Sequence, residues 1–180
     1  MSLTTTKTFA KFEFEEQKAT LKTTKKKEQK KMGLFLSCYE NRLDTKGRIS
    51  VPAAFRSSLN NENFVGVVLY RSFTHNCIEG LSMSRMEEIA KATDKMGMFD
   101  GELDDLSALV FADARPLQFD VTGRIVIPTD LLEHANIKDT ALFVGRGKGF
   151  QIWNPDDFSK IQNNSLNTLR KTRPNFKISE

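Results

Sequence analysis

An aspartate and an arginine four positions apart, with a glycine directly before the arginine, are the residues whose spacing best suits them to chemistry, and the chain carries this set twice. Asp44-Thr45-Lys46-Gly47-Arg48-Ile49-Ser50-Val51-Pro52 returns as Asp120-Val121-Thr122-Gly123-Arg124-Ile125-Val126-Ile127-Pro128 at a constant offset of 76 residues, with Asp, Gly, Arg, Ile and Pro identical. A short carboxylate accepts hydrogen bonds from backbone N–H groups just downstream and closes a turn. Gly47 and Gly123 supply the positive φ such a turn uses. Two uses of the arginine are open: an ion pair with the aspartate that pins the turn, or an outward grip on a partner. A turn needs its aspartate and glycine. It does not need an outward arginine at the same place twice.

The elements that must hold these turns follow from the flanks. After each turn the chain runs extended, with Ile49 and Val51 on one face and Arg48 and Ser50 on the other. In the second copy Ile125 and Ile127 face inward and Arg124 outward, while Lys46 marks the tip of the first turn. Each proline ends the strand and suits the first turn of a helix, whose inward residues are Phe55 and Leu59 in copy one. Leu43 matches Phe119, Phe55 matches Leu131 and Leu59 matches Ala135, the mark of an internal duplication.

The rest of each copy reads in a common order. A strand over 34–43 leads into motif one, a helix over 52–59 follows it, and 64–70 and 76–81 form a hairpin. Ser84-Arg85-Met86-Glu87 is a capping-box pattern opening a helix, broken near 97–101, and Leu103, Leu106, Leu109 and Val110 mark another helix ending near Ala114. Copy two repeats the strand, motif, helix (128–135) and hairpin, the last with strands 141–144 and 150–153 around a glycine-rich turn. Asn154 then caps a helix with Pro155 first and Asp156 and Asp157 in its first turn, burying Phe158, Ile161, Leu166 and Leu169. The fold class is α+β: two duplicated, small, β-rich units with short helices, joined as one compact protomer with pseudo-two-fold symmetry. The expected division is a basic, disordered extension over 1–31, a first unit with an extra helix over 32–114, a second over 115–170, and a frayed tail over 171–180.

Charge narrows the function. The net charge is +4, but the first 32 residues hold nine lysines and four acids, which leaves the remainder at −1. A nearly neutral body is no strong nonspecific binder of nucleic acid; any DNA contact needs a concentrated face, with Arg42, Lys46, Arg48 and Arg124 as candidates. The lysine-rich segment reads as a flexible tail or as a basic arm that follows phosphates. Cys38 and Cys77 have no metal or redox spacing, which suits a reduced intracellular compartment. No apolar run approaches the ~18 residues of a membrane span, and no signal peptide is visible.

The stretch from Glu40 through Asp44-Thr45-Lys46-Gly47-Arg48 to Pro52 closely resembles the first motif of the MraZ transcriptional regulators, and Asp120 to Pro128 resembles their second. The resemblance runs from about Met32 to about Leu169. It implies a bacterial protein, cytoplasmic and nucleoid-associated, with two tandem SpoVT-AbrB-type (AbrB-like) domains. It implies a ring homo-oligomer that binds double-stranded DNA at direct repeats in its own promoter region, upstream of the cell-division and cell-wall gene cluster. By the same resemblance Arg48 and Arg124 contact DNA, assisted by Lys46, with Arg42 and Thr122 beside them. Asp44, Gly47, Asp120 and Gly123 shape the loops. Thr122 stands where copy one has Lys46, so copy two looks electrostatically weaker.

Other signals carry less. The run Gly145 to Gly149 lacks the Gly-Lys-Ser/Thr ending of a phosphate loop and reads as a hairpin turn, although Arg146 and Lys148 could still touch phosphates. His75 and His134 are isolated, with no metal-ligand partners. Glu102, Asp104 and Asp105 suit a helix start. No nucleophile–base pair, metal cluster or cofactor loop emerges, so neither an enzyme, a cofactor nor a small-molecule substrate is expected. The alternative to a DNA-binding regulator is an oligomeric, antitoxin-like protein-interaction module.

Overall fold

The computed structural model describes residues 33–59, 63–94 and 108–172. The expected basic extension 1–31, the break near 97–101, the acidic stretch 102–105 and residues 173–180 lie outside them. In chain order the elements are β1 (Cys38–Arg42), β2 (Arg48–Ser50), α1 (Ala53–Leu59), β3 (Gly66–Arg71), β4 (Ile78–Leu81), α2 (Met83–Asp94) and a π-helical turn (Ala108–Ala112). Then follow β5 (Arg115–Gln118), β6 (Arg124–Val126), α3 (Thr129–His134), β7 (Thr140–Gly145), β8 (Phe150–Trp153) and α4 (Pro155–Thr172). The result is a mixed α+β fold.

The strands build two antiparallel sheets, one six-stranded in the order β1-β7-β8-β4-β3-β5 and one a two-stranded ribbon, β2-β6. The copies interleave in both. β1 of copy one pairs with β7 of copy two, and β5 of copy two pairs with β3 of copy one. The pseudo-two-fold axis passes between Glu79 and Gln151 in the large sheet, each the second residue of the matching strands β4 and β8, and between Ile49 and Ile125 in the ribbon, the same position of each motif. Side-chain chemistry marks the first of these crossings, where Gln151 Nε2 donates to Glu79 Oε1 at 2.8 Å.

Three layers explain the burial. Between sheet and ribbon lies the main core, where Phe55 meets Phe35, Tyr39, Phe143 and Phe150 at ring distances of 5.3, 5.4, 6.3 and 5.3 Å. Ile49, Val51, Ile125 and Ile127 enter this core from the ribbon side, and Leu131 enters it from α3. On the sheet's other face α2 and the π-helical turn cover Val68, Tyr70 and Leu81, while α4 covers Val144 and Trp153 through Phe158 and Ile161. Val67 to Tyr70 is buried on both faces, which is why that run is continuously apolar rather than alternating.

Several local expectations change. The strand expected over 34–43 is broken at Ser37, whose φ is 70°, so Phe35 makes only an isolated bridge to Gly147 and β1 starts at Cys38. Ser82, not Ser84, caps α2: its Oγ accepts from the Arg85 backbone N–H at 3.1 Å. The described end of the helix expected through 103–114 is a single π-helical turn. It is tied to β3 by Asp113, which accepts from the Arg71 backbone N–H at 2.8 Å. Asn154 does cap α4, its Oδ1 accepting from the Asp156 backbone N–H at 2.9 Å. Leu166 and Leu169, expected to face inward, are 46% and 49% exposed. At about 27 Å for its 18 residues, α4 outruns the sheet it packs on.

Candidate functional site

Both motifs fold into the same turn. Asp44 Oδ1 accepts from the backbone N–H of Lys46 at 2.9 Å and of Arg48 at 3.0 Å, and its Oδ2 accepts from Arg48 Nε at 2.6 Å. Asp120 Oδ1 accepts from the backbone N–H of Thr122 at 2.8 Å and of Arg124 at 2.9 Å, and Oδ2 accepts from Arg124 Nε at 3.0 Å. Gly47 and Gly123 sit at φ 71° and 76° and donate to the aspartate carbonyls at 3.0 and 2.9 Å. The backbone N–H of Arg48 is the largest influence holding the Asp44 carboxyl below its usual range, and that of Arg124 does the same for Asp120.

The turns also brace each other. Gly47 O accepts from the Ile127 N–H at 3.0 Å and Gly123 O from the Val51 N–H at 3.1 Å, so each turn's glycine carbonyl is tied to the strand end of the other repeat. In the ribbon Arg48 faces Val126 and Arg124 faces Ser50. All four side chains therefore share the outer face, while Ile49 and Ile125 point into the core. The strands are antiparallel, so the two turns stand at opposite ends of this face.

Both arginine side chains are 39% exposed. Their Nε groups are taken by the aspartates, and among the described residues no acceptor takes the terminal Nη groups. The ion pair and the outward arginine are thus one arrangement: the carboxylate holds the guanidinium by one edge and leaves the other presented.

The remaining sequence candidates are not equivalent. Lys46 is exposed at the first tip. Thr122, at the matching position, turns its hydroxyl back onto Asp120 Oδ1 at 2.7 Å. Arg42 is exposed at the end of β1, opposite Thr140, and so belongs to the large sheet rather than to the ribbon face.

Sequence reasoning missed Arg56. Beside the first turn is a cleft of about 540 Å³ lined by Asp44, Lys46, Leu132 and Lys138, among others. Beside the second is one of about 240 Å³ lined by Arg56, Val65, Asp120 and Val121, among others. Arg56 reaches from α1 of repeat one to the base of the second turn, where a Cβ on Gly123 would lie 2.5 Å from its Nη1. Its Nε donates to Val51 O at 3.2 Å. The cation that the second turn lacks at its tip thus stands at its base. No spacing rule could have found it, because its counterpart at the 76-residue offset is Leu132.

Other groups of chemical interest lie elsewhere. His75 packs against Trp153 with ring centres 5.5 Å apart and planes tilted by 41°, and the buried Nε2 of His134 has no partner among the described residues. Cys38 is exposed, whereas Cys77 is buried and its thiol is pushed up to about 12, chiefly by desolvation. The glycine-rich 145–149 stretch is a hairpin turn closed by the Arg146 N–H on Gly149 O at 2.8 Å. Among the described residues no group of three or more His, Cys, Asp and Glu comes together to hold a metal, and no helix is long and apolar enough to cross a membrane.

A duplicated, interleaved α+β scaffold that presents one aspartate-clamped arginine turn from each half defines a class of small two-repeat proteins. A family profile described as "MraZ protein, putative antitoxin-like" matches residues 34–106 and 110–175, one copy after the other. The chain belongs to the MraZ family. It is 42% identical over 144 residues to a protein of Pelagibacter ubique (strain HTCC1062) named transcriptional regulator MraZ, covering 80% of this chain and 93% of that one. Proteins of the same name from Rickettsia peacockii (strain Rustic) and Rickettsia felis (strain ATCC VR-1525 / URRWXCal2) are 41% and 37% identical. Those matches cover 73% and 79% of this chain and 89% and 95% of theirs.

Proposed function

We propose that this protein is a transcriptional regulator that binds double-stranded DNA through the outer face of the β2-β6 ribbon. The observation that carries the reading is the paired presentation of Arg48 and Arg124, each held at Nε by its own aspartate, with terminal nitrogens that no acceptor among the described residues takes. An arginine held this way has little side-chain freedom left to lose on binding. Its two Nη groups can address O6 and N7 of a guanine, a contact worth ~1–3 kcal/mol of discrimination. Lys46 at one tip and Arg56 at the base of the other turn supply phosphate attraction to a body of otherwise near-zero charge. Thr122 sits at the second tip, and Arg42, on the large sheet, adds positive charge apart from this face.

Two such arginines give one protomer weak binding. A ring of protomers on direct repeats in the promoter of its own gene, within a cell-division and cell-wall cluster, would link many weak contacts, with gains of ~10²–10⁴ in avidity. Such a regulator works on the nucleoid, in the cytoplasm. The exposed Leu166 and Leu169 of α4 offer apolar surface for assembly and equally favour a second reading, an antitoxin-like module that binds another protein. Arg48→Ala separates the two. The expected outcome is loss of the gel shift on promoter DNA at matched salt, with circular dichroism and light scattering unchanged. Unchanged DNA affinity, or a stoichiometric protein partner with no DNA shift, would overturn the DNA reading.

A further inference from the structure

Val121 has no role in the fold that holds it. At the tip of the second turn it is 105% exposed, as open as a side chain can be. The turn is built by the carboxylate of Asp120, the backbone and hydroxyl of Thr122, the backbone of Arg124 and the positive φ of Gly123. A branched apolar side chain adds nothing to such a turn, where glycine, asparagine, aspartate and serine are the favoured residues, and it leaves two methyl groups in water. Further apolar surface lies nearby. Val126 is 55% exposed on the outer ribbon face, and Val65, 69% exposed, lines the same cleft as Val121. The first turn differs in kind, with Thr45 at the matching position and Lys46 beside it, both exposed.

The two turns therefore present different chemistry around the same arginine, one cationic and polar, the other apolar. The major-groove edge of a duplex carries one prominent apolar group, the C5-methyl of thymine. We infer that Val121 packs against a thymine methyl beside the base pair taken by Arg124, so that the second turn adds an apolar base contact to its arginine where the first adds the charge of Lys46. This inference rests on the DNA-binding reading above. Burial of one methyl corresponds to about a fourfold change in affinity per engaged turn.

The test uses the full chain and a duplex it selects from a randomised library. Each thymine is replaced in turn by deoxyuridine, which removes only the methyl. The expected result is a loss of about fourfold at one thymine position per bound turn. Val121→Ala should bind the thymine and uracil duplexes equally, and Val121→Thr, which keeps one methyl, should fall between. A flat uracil scan overturns the inference. So does a thymine preference that survives in Val121→Ala, above all if that variant also changes oligomeric state, which makes Val121 a subunit contact. Arg48-dependent binding without methyl sensitivity removes only the role of Val121, whereas failure to select any duplex removes the DNA reading itself.

Discussion

Truncating Ile49 to alanine tests whether the two repeats fold as one unit. Ile49 is 0% exposed and faces Ile125 across the ribbon, inside the core cluster that also holds Phe55, Phe143 and Phe150. Isoleucine-to-alanine changes at fully buried sites cost about 2–5 kcal/mol. With a urea slope of about 1–3 kcal/mol per molar, mid-range values move the unfolding midpoint down by roughly 1–2 M. The reporter is the single tryptophan, Trp153, which lies in the other repeat and is 2% exposed on β8. β8 pairs with β4 of the first repeat. Damage at Ile49 should therefore shift the Trp153 fluorescence midpoint as far as the far-ultraviolet circular dichroism midpoint. Protein concentration is held fixed, because any assembly adds a mass-action contribution of its own. A fluorescence midpoint that stays in place while circular dichroism falls in two steps would show that the repeats are separately stable and that the shared sheet is not the cooperative unit.

Two further outcomes follow from the turns. Gly123→Ala places a side chain at φ 76° and 2.5 Å from Arg56 Nη1. The left-handed backbone alone costs roughly 1–2 kcal/mol. Adding Arg56→Ala relieves the contact but not the backbone cost, so the double variant should stay below Arg56→Ala in thermal stability; equal stability would refute the strain. In acid, the carboxyls of Asp44 and Asp120, lowered from 3.8 first by backbone hydrogen bonds, contribute stability that is fully present above that pH. It is lost as pH falls through their folded values. Carboxyl titration by NMR should place both midpoints below 3.8. Arg48→Ala should still leave the Asp44 midpoint below 3.8, because the N–H groups of residues 46 and 48 survive the substitution. Midpoints at or above 3.8 would refute the turn geometry.

The duplication, the inward isoleucines and the prolines before the helices were legible because each depends on neighbours in sequence. Alternation assigns Ile49 a face whatever strand lies beside it. It does not assign a partner, and here the partner is exchanged: β2 pairs with β6 rather than with any strand of its own repeat. Arg56 was hidden for the same reason, since the turn it supports is more than sixty residues downstream. Leu166 and Leu169 misled because an amphipathic stripe shows which side of a helix is apolar, not how far the surface beneath it extends. Ser82 lost to Ser84 because the capping-box pattern fits the latter and only the backbone start distinguishes them.

The reciprocal bonds between Gly47 and Ile127 and between Gly123 and Val51 turn the ribbon into a yardstick. Neither tip can slide without dragging the other half's strand, so the interval between the two glycines is set by the chain from Gly47 to Val51, four residue steps or about 13 Å of extended strand. On the DNA-binding reading, that interval matches roughly four base pairs at 3.4 Å each. One protomer then gauges a single short word, and any longer message must be spelled by setting further protomers side by side.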